Sequence, residues 1–528
     1  MKRVFSVFLV TAFLWLAACQ TQTESPEPTP TTAPPTQKAI ILAINDVYRI
    51  EGAANGTLGG LARVRTLRKQ LEADGAPVLL LHAGDALSPN TMSKHFSGGE
   101  QMIDILNLMD GARDTVDPYM VMTFGNHEFD IKEADMLDAR VEQSEFTWLD
   151  TNIDWADTPD SKEELVQADN LLATTVIPVG DMKIGVFSLT TPDTQPDYID
   201  GFGALEQTTL EVCAALREQG ADVVVGLTHL RASEDEELLR KLAAKGPDLI
   251  VGGHDHTEIA RNIDGRWLVK ADADALSARV VTIEKDGGTL QVKQNLVKLG
   301  EGALAEKDET VEAAVVDWMK KFDPEGKRLE PVGTTQVVLT AEELTIRKYE
   351  TNIGNWIADQ MRTAYPNQKV DLALINSGSL RLNDVIPVGA VRKGHIDELL
   401  PYQTGVFVVE LSGADVKRAL NRSIEDWTGS GHYLQVSGIR FTHNAKAQTV
   451  SDIRVGDGDQ AAPLDEQKTY AVAISSYIAG GGDGYPYLKD ATRLAQGVDL
   501  EELLLERLKQ AGETGIAPKV EGRVNTIE

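Results

Sequence analysis

Between residues 39 and 300, short apolar runs alternate with longer amphipathic stretches. The runs "AIILAIND", "PVLLLHAGD", "YMVMTFGN", "DVVVGLTH" and "DLIVGGHDH" predict buried strands. Between them, "GGLARVRTLRKQLEADG" and "EDEELLRKLAAKG" carry helical spacing, and each closes on a glycine. "ARVVTIEKDGGTLQVKQNLVKL" predicts a hairpin turning at Asp286, Gly287 and Gly288. This is the pattern of a layered α/β domain over 38–300. A charged, helix-like linker follows over 301–331. A second domain covers 332–528, mixing helices such as "TNIGNWIADQMRTAY" with strands such as "VDLALINSG" and "TGVFVVELSG".

The first 37 residues break this pattern. Lys2 and Arg3 precede "VFSVFLVTAFLWLAAC", an apolar run too short to span a bilayer and typical of an export signal. Its end, "LAAC", resembles the bacterial lipobox, which implies cleavage before Cys19 and a lipid on its thiol. Residues 20–37 are rich in Thr and Pro and nearly free of apolar side chains, so they predict a disordered tether. The expectation is an exported chain, anchored in the outer membrane and facing the periplasm or the cell surface. Cys213 is the only other cysteine, so a lipidated Cys19 leaves no intrachain disulfide.

A length of 528 residues favours two domains, and the net charge of −30 disfavours extended nucleic acid as a partner. A small phosphate ester remains compatible where metal ions neutralise it locally. The strand ends supply such a place. Asp46, Asp85, Asn126, His229 and His254 each end a predicted strand, and His256 follows two residues later. Four of the nine histidines, His127, His229, His254 and His256, lie at these strand ends. Ligands in open α/β sheets gather outside the carboxyl ends of strands. Carboxylate, amide and imidazole donors together suit Mn, Zn or Fe. Two such ions sit roughly 3.5–4 Å apart and lower the pKa of a bound water from about 15.7 towards 7.

At these residues the chain resembles the calcineurin-like metallophosphatases, through "IND" (44–46), "AGD" (83–85), "GNHEFD" (125–130), "THL" (228–230) and "GGHDH" (252–256). "GNHEFD" is most similar to the 5′-nucleotidase and UDP-sugar hydrolase family. "NSGSLR" (376–381), "YLQVSGIRF" (433–441) and "GGGDGYPY" (480–487) resemble that family's C-terminal substrate domain. The resemblance implies a four-layer α/β/β/α metallophosphoesterase domain, a linker helix and an α/β (α+β) substrate domain. It implies one metal held by Asp46, Asp85 and His256, and a second held by Asp85, Asn126, His229 and His254. His127 would stabilise charge or protonate the leaving group, with Asp130 orienting its ring.

Tyr48 departs from the family, which has a histidine there; it either ligates the first metal or packs beside it. The resemblance further implies that Tyr402 and Tyr485 sandwich the base. Arg347 and Arg381 would grip the phosphate, Asn376 would lie beside the base, and Asp490 is a weaker candidate for the ribose. Glu350 is expected to brace the second domain. The site would lie in a cleft between domains that rotate, with a pivot in 301–328.

The activity so implied is hydrolysis of nucleoside 5′-monophosphates. A 2′,3′-cyclic nucleotide phosphodiesterase or UDP-sugar hydrolase is the alternative. A non-enzymatic surface lipoprotein, or a thiosulfate-ester hydrolase, is less well supported.

Overall fold

The computed structural model describes residues 37–156, 168–286, 289–425, 427 and 429–527. The export signal, Cys19 and all of the tether except Gln37 lie outside the described residues. Among the described residues no helix is long and apolar enough to cross a membrane.

Two sheets stack in the first domain. One has seven strands, in the order Thr289–Lys298, Ser277–Asp286, Gln37–Ile44, Val78–His82, Met120–Thr123, Thr147–Leu149 and Leu171–Leu172. The other has six, in the order Ile259–Ile263, Arg266–Lys270, Leu249–Gly252, Val223–His229, Met182–Thr190 and Thr174–Val179. Strand alternation sorts the layers. Ala39, Ile41 and Ala43 face the second sheet, packing with Val186, Val225 and Val251. Ile40, Leu42 and Ile44 face outward onto the helix side, with Leu61, Val64 and Ile103. Helices Leu205–Glu218 and Ala232–Leu242 cover the outer face of the second sheet, through Leu216, Leu238 and Leu239. The domain is therefore the four-layer α/β/β/α sandwich.

Every ligand-bearing run forms its strand, and the strands that carry Asp46, Asp85 and Asn126 run parallel. The strands before His229 and His254 are parallel in the second sheet. Their carboxyl ends thus reach one rim. The hairpin register pairs Asp286 with Thr289; Gly287 and Gly288, where the turn is expected, lie outside the described residues.

The helix expected in 301–331 spans Glu309–Phe322, and the Asp308 carboxylate caps it by accepting from the Thr310 and Val311 N–H groups. Val311, Ala314, Val315 and Trp318 enter the first domain's core. Trp318 Nε1 also donates to Asp104 at 2.7 Å. This packing makes the helix part of the first domain's body.

In the second domain a mixed five-stranded sheet runs in the order Leu434–Ser437, Leu372–Asn376, Thr469–Ser475, Gly405–Ser412 and Arg493–Asp499. Helices Asn352–Arg362 and Leu500–Ala511 pack on one face and Gly413–Ser423 on the other. The "NSGSLR" loop leaves the end of Leu372–Asn376 and faces the first domain's rim.

Candidate active site

The rim residues are held in unusual backbone conformations. Asp46 (φ 53°), Asp85 (φ 59°), His254 (φ 77°) and His256 (φ 58°) all occupy the left-handed region. Each costs on the order of 1–3 kcal/mol and persists only where the surroundings over-determine it. One determinant is Glu128, fully buried beside them. Its carboxylate accepts from the backbone N–H groups of Asp85 (2.9 Å), Ala86 (2.7 Å), Leu87 (3.0 Å) and Gly125 (2.6 Å). Hydrogen bonds to a charged group contribute about 1.5–3 kcal/mol each, enough to hold the Asp85 loop in place. The adjoining loops touch closely: a Cβ on Gly125 would lie 2.1 Å from Asp85 Oδ1, and one on Gly84 2.6 Å from Gly125 N. Lys270, buried beneath, donates to the Leu230 carbonyl (2.7 Å), the Gly253 carbonyl (2.8 Å) and Asp255 (2.7 Å), tying the two histidine loops together.

The side chains converge as two groups sharing Asp85. Ligand atoms of Asp46, Asp85 and His256 all lie within 4.8 Å of one another. His256 Nε2 is 3.3 Å from Asp46 Oδ1. The Tyr48 hydroxyl lies inside this group, 3.0 Å from both Asp85 Oδ2 and His256 Nε2. In the second group, His229 Nε2 is 3.2 Å from Asp85 Oδ2. His254 Nδ1 is 3.1 Å from Asn126 Oδ1, and the His229 and His254 rings stand 5.2 Å apart at 80°. His229 Nδ1 donates to the Ala83 carbonyl at 2.7 Å, so Nε2 is the nitrogen offered to the site. Two like-charged carboxylates with imidazoles converging on them are what a pair of cations would bind.

Electrostatics supports this reading. Burial opposes charge on His229 and His256, yet the carboxylates around them raise the imidazoles to about 10 and about 9. Burial and the His229 charge push His254 well below its ordinary value. Despite burial, His229 and His127 hold Asp85 well below the carboxylate range. Burial, with Asp85 and Asp46, keeps the Tyr48 phenol protonated well above 10, so it donates to Asp85.

His127 sits between the two domains. Its N–H donates to Asp85 Oδ1 (2.9 Å) and its Nδ1 meets Asp130 Oδ2 at 2.8 Å. Asp130 can only accept, which places a proton on Nδ1 and leaves Nε2 facing Arg381 Nη2 at 3.0 Å. Arg381 is anchored by its Nε on the Gly378 carbonyl (2.8 Å) and lies 3.5 Å from the Tyr402 hydroxyl. Arg347 pairs with Glu343 four residues earlier.

The second domain departs from expectation at two positions. Tyr485 does not reach the cleft: it is fully buried in the domain core, its hydroxyl donating to the His432 carbonyl at 2.6 Å. The exposed aromatic of that loop is Tyr477, at 53% exposure. Asn376 is 1% exposed and bonds Asp483, Ser379 and Ser475, so it braces the loop where it was expected to lie beside the base. Asp490 is exposed at the end of the Pro486–Asp490 turn. Glu350 accepts from Asn355 (2.6 Å) and from the Glu521 and Val524 N–H groups, so it braces the second domain. Glu128 and Glu343 were not assigned roles from the sequence. Glu128 had a signal in its place inside "GNHEFD", and Glu343 had only its helical spacing from Arg347.

Comparison with known proteins follows the same division. Residues 40–258 match the calcineurin-like phosphoesterase family, and 331–490 match the 5′-nucleotidase C-terminal domain. The chain is 28% identical over 517 residues to a trifunctional nucleotide phosphoesterase, YfkN, of Bacillus subtilis; the match covers 89% of this chain but 34% of that protein. It is 26% identical to a snake venom 5′-nucleotidase of Gloydius brevicauda, covering 92% and 88% of the two chains. The solved structure of a 5′-nucleotidase precursor from Thermus thermophilus superposes with a TM-score of 0.79 at 25% identity, covering 93% and 99%.

Ligation requires neutral imidazoles, so metal loading must displace the protons that the carboxylates hold on His229 and His256. Adding Mn²⁺ to chelator-stripped protein at pH 7 should release about two protons. Because both values lie above 7, apparent affinity should climb as pH rises towards 9. Calorimetry in buffers of differing ionisation enthalpy reads both effects; proton-neutral binding would contradict the assignment of these histidines.

Proposed function

Since the chain belongs to the calcineurin-like phosphoesterases that carry a 5′-nucleotidase C-terminal domain, we propose that it hydrolyses nucleoside 5′-monophosphates to nucleoside and phosphate in the cleft between its domains. The observation that carries this reading is the meeting of Arg381 with His127 at 3.0 Å, directly beside Asp85. A phosphoryl group taking that place would face the ligand groups on one side and a guanidinium on the other. An Arg fork suits phosphate oxygens. Two cations at the ligand groups, with Mn, Zn or Fe matching the oxygen and nitrogen donors, supply the Lewis acidity that activates water and offsets phosphoryl charge.

Asp130 fixes the proton on His127 Nδ1; once Arg381 engages phosphate, Nε2 is freed, and a proton taken there from water would pass to the departing ester oxygen. Tyr402 lies beside Arg381 and offers the one ring of the expected pair that reaches the cleft; stacking of a base there contributes about 1–3 kcal/mol. The relative named a trifunctional nucleotide phosphoesterase favours testing other nucleotide phosphate esters as further substrates.

Phosphate release from AMP with added Mn²⁺ should fall by about 10²–10⁴-fold in His127→Ala. Undiminished turnover in that variant would refute the role given to His127.

The "LAAC" motif and the tether composition support a lipid on Cys19 holding the enzyme at an exported membrane surface. Cys19→Ser should then move the protein from the membrane to the soluble fraction. Unchanged membrane recovery would count against the anchor.

A further inference from the structure

Glu343 belongs to the second domain, in the short helix Glu343–Ile346, but its carboxylate reaches the first. Oε2 accepts from His256 Nδ1 at 2.6 Å. Oε1 pairs with Arg347 and lies 3.6 Å from Arg381 Nη1. The residue is 5% exposed, and its own N–H is held by Asn383 Oδ1 at 3.1 Å. The other carboxylate and imidazole ligands have supporting groups from within the first domain. Ala83 holds His229, Asn45 and the His254 N–H hold Asp46, and the His127 N–H holds Asp85. His256 alone among these takes its supporting carboxylate from across the cleft.

A metal-ligating imidazole depends on such a partner, which fixes the tautomer and ring orientation; removing it typically costs about 10–100-fold in metal affinity. The cleft meanwhile has to open. The crevice lined by Tyr48, Asn90, Glu343, Arg381 and Pro401 holds about 30 Å³, whereas small-ligand pockets hold about 300–1,000 Å³. Separating the domains to admit a nucleotide withdraws Glu343 from His256.

Resting on the dimetal reading above, we propose that Glu343 is a positioning residue that completes the metal group of Asp46, Asp85 and His256 only when the domains close. Metal binding and closure are then one linked equilibrium, and by reciprocity the metal favours the closed arrangement by the factor that closure favours the metal. The same carboxylate holds Arg347 and Arg381, so the residues that meet phosphate and the ligand that meets the metal share one anchor.

The test uses full-length protein. Mn²⁺ titration of wild type should show two sites, and small-angle X-ray scattering should show compaction as the weaker site fills. In Glu343→Gln one site should weaken by about 10–100-fold, the other should hold, and the compaction should be lost. Two unchanged affinities in Glu343→Gln, or wild-type scattering indifferent to Mn²⁺, overturn the coupling while leaving the dimetal reading intact. Fewer than two sites in wild type overturn both.

Discussion

Four backbone N–H groups converge on the buried Glu128 carboxylate, and the rest of the site depends on that convergence. They belong to two loops, the one after Val78–His82 and the one after Met120–Thr123. With these loops pinned, Asp85 is held in a left-handed conformation, and its carboxylate points to where both ligand groups can share it. His127 is placed by the same clamp, because its N–H donates to Asp85. An unpaired carboxylate at this depth would be costly, and burial with the Asp85 charge does raise the Glu128 carboxyl. The backbone donors oppose that rise, so the clamp and the strained turn stabilise each other.

The charge balance explains why two domains are needed. A chain of net charge −30 must bind an anionic ester at a place already crowded with carboxylates. Cations bound at the rim, with the Arg347 and Arg381 guanidiniums from the other domain, would reverse the local sign. In spite of burial, Arg381 is kept charged by the Glu343 and Asp85 carboxylates near it. Neither domain holds both halves of the site. Under the closure proposed above, the cross-domain bonds from Arg381 to His127 and from Glu343 to His256 are where assembly would be felt.

Much of this was legible in the chain because strand ends are legible. An apolar run that stops at Asp46, Asp85, Asn126, His229 or His254 announces both the strand and the side chain at its exit. Parallel pairing then brings those exits to one rim. What pattern could not supply was partnership across long separations. Glu343 is 87 residues from His256, and nothing local distinguishes it from any acidic first-turn residue. Tyr485 and Asn376 lie in the expected motifs, yet a loop's motif does not say which of its faces is inward. Packing against Leu488 and Ile478 turned the Tyr485 ring into the core, and two serine hydroxyls captured Asn376. The helix Glu309–Phe322 read as a linker from its charge, but its apolar stripe docks on the first domain.

The central claim is that side chains from five strand ends form one dinuclear centre bridged by Asp85. Anomalous diffraction recorded at the Mn, Fe and Zn edges on crystals of the metal-loaded protein tests it most directly. The account predicts two peaks roughly 3.5–4 Å apart, one beside Asp46, Tyr48 and His256 and the other beside Asn126, His229 and His254, with Asp85 between. A single peak, or metal bound away from Asp85, would contradict it.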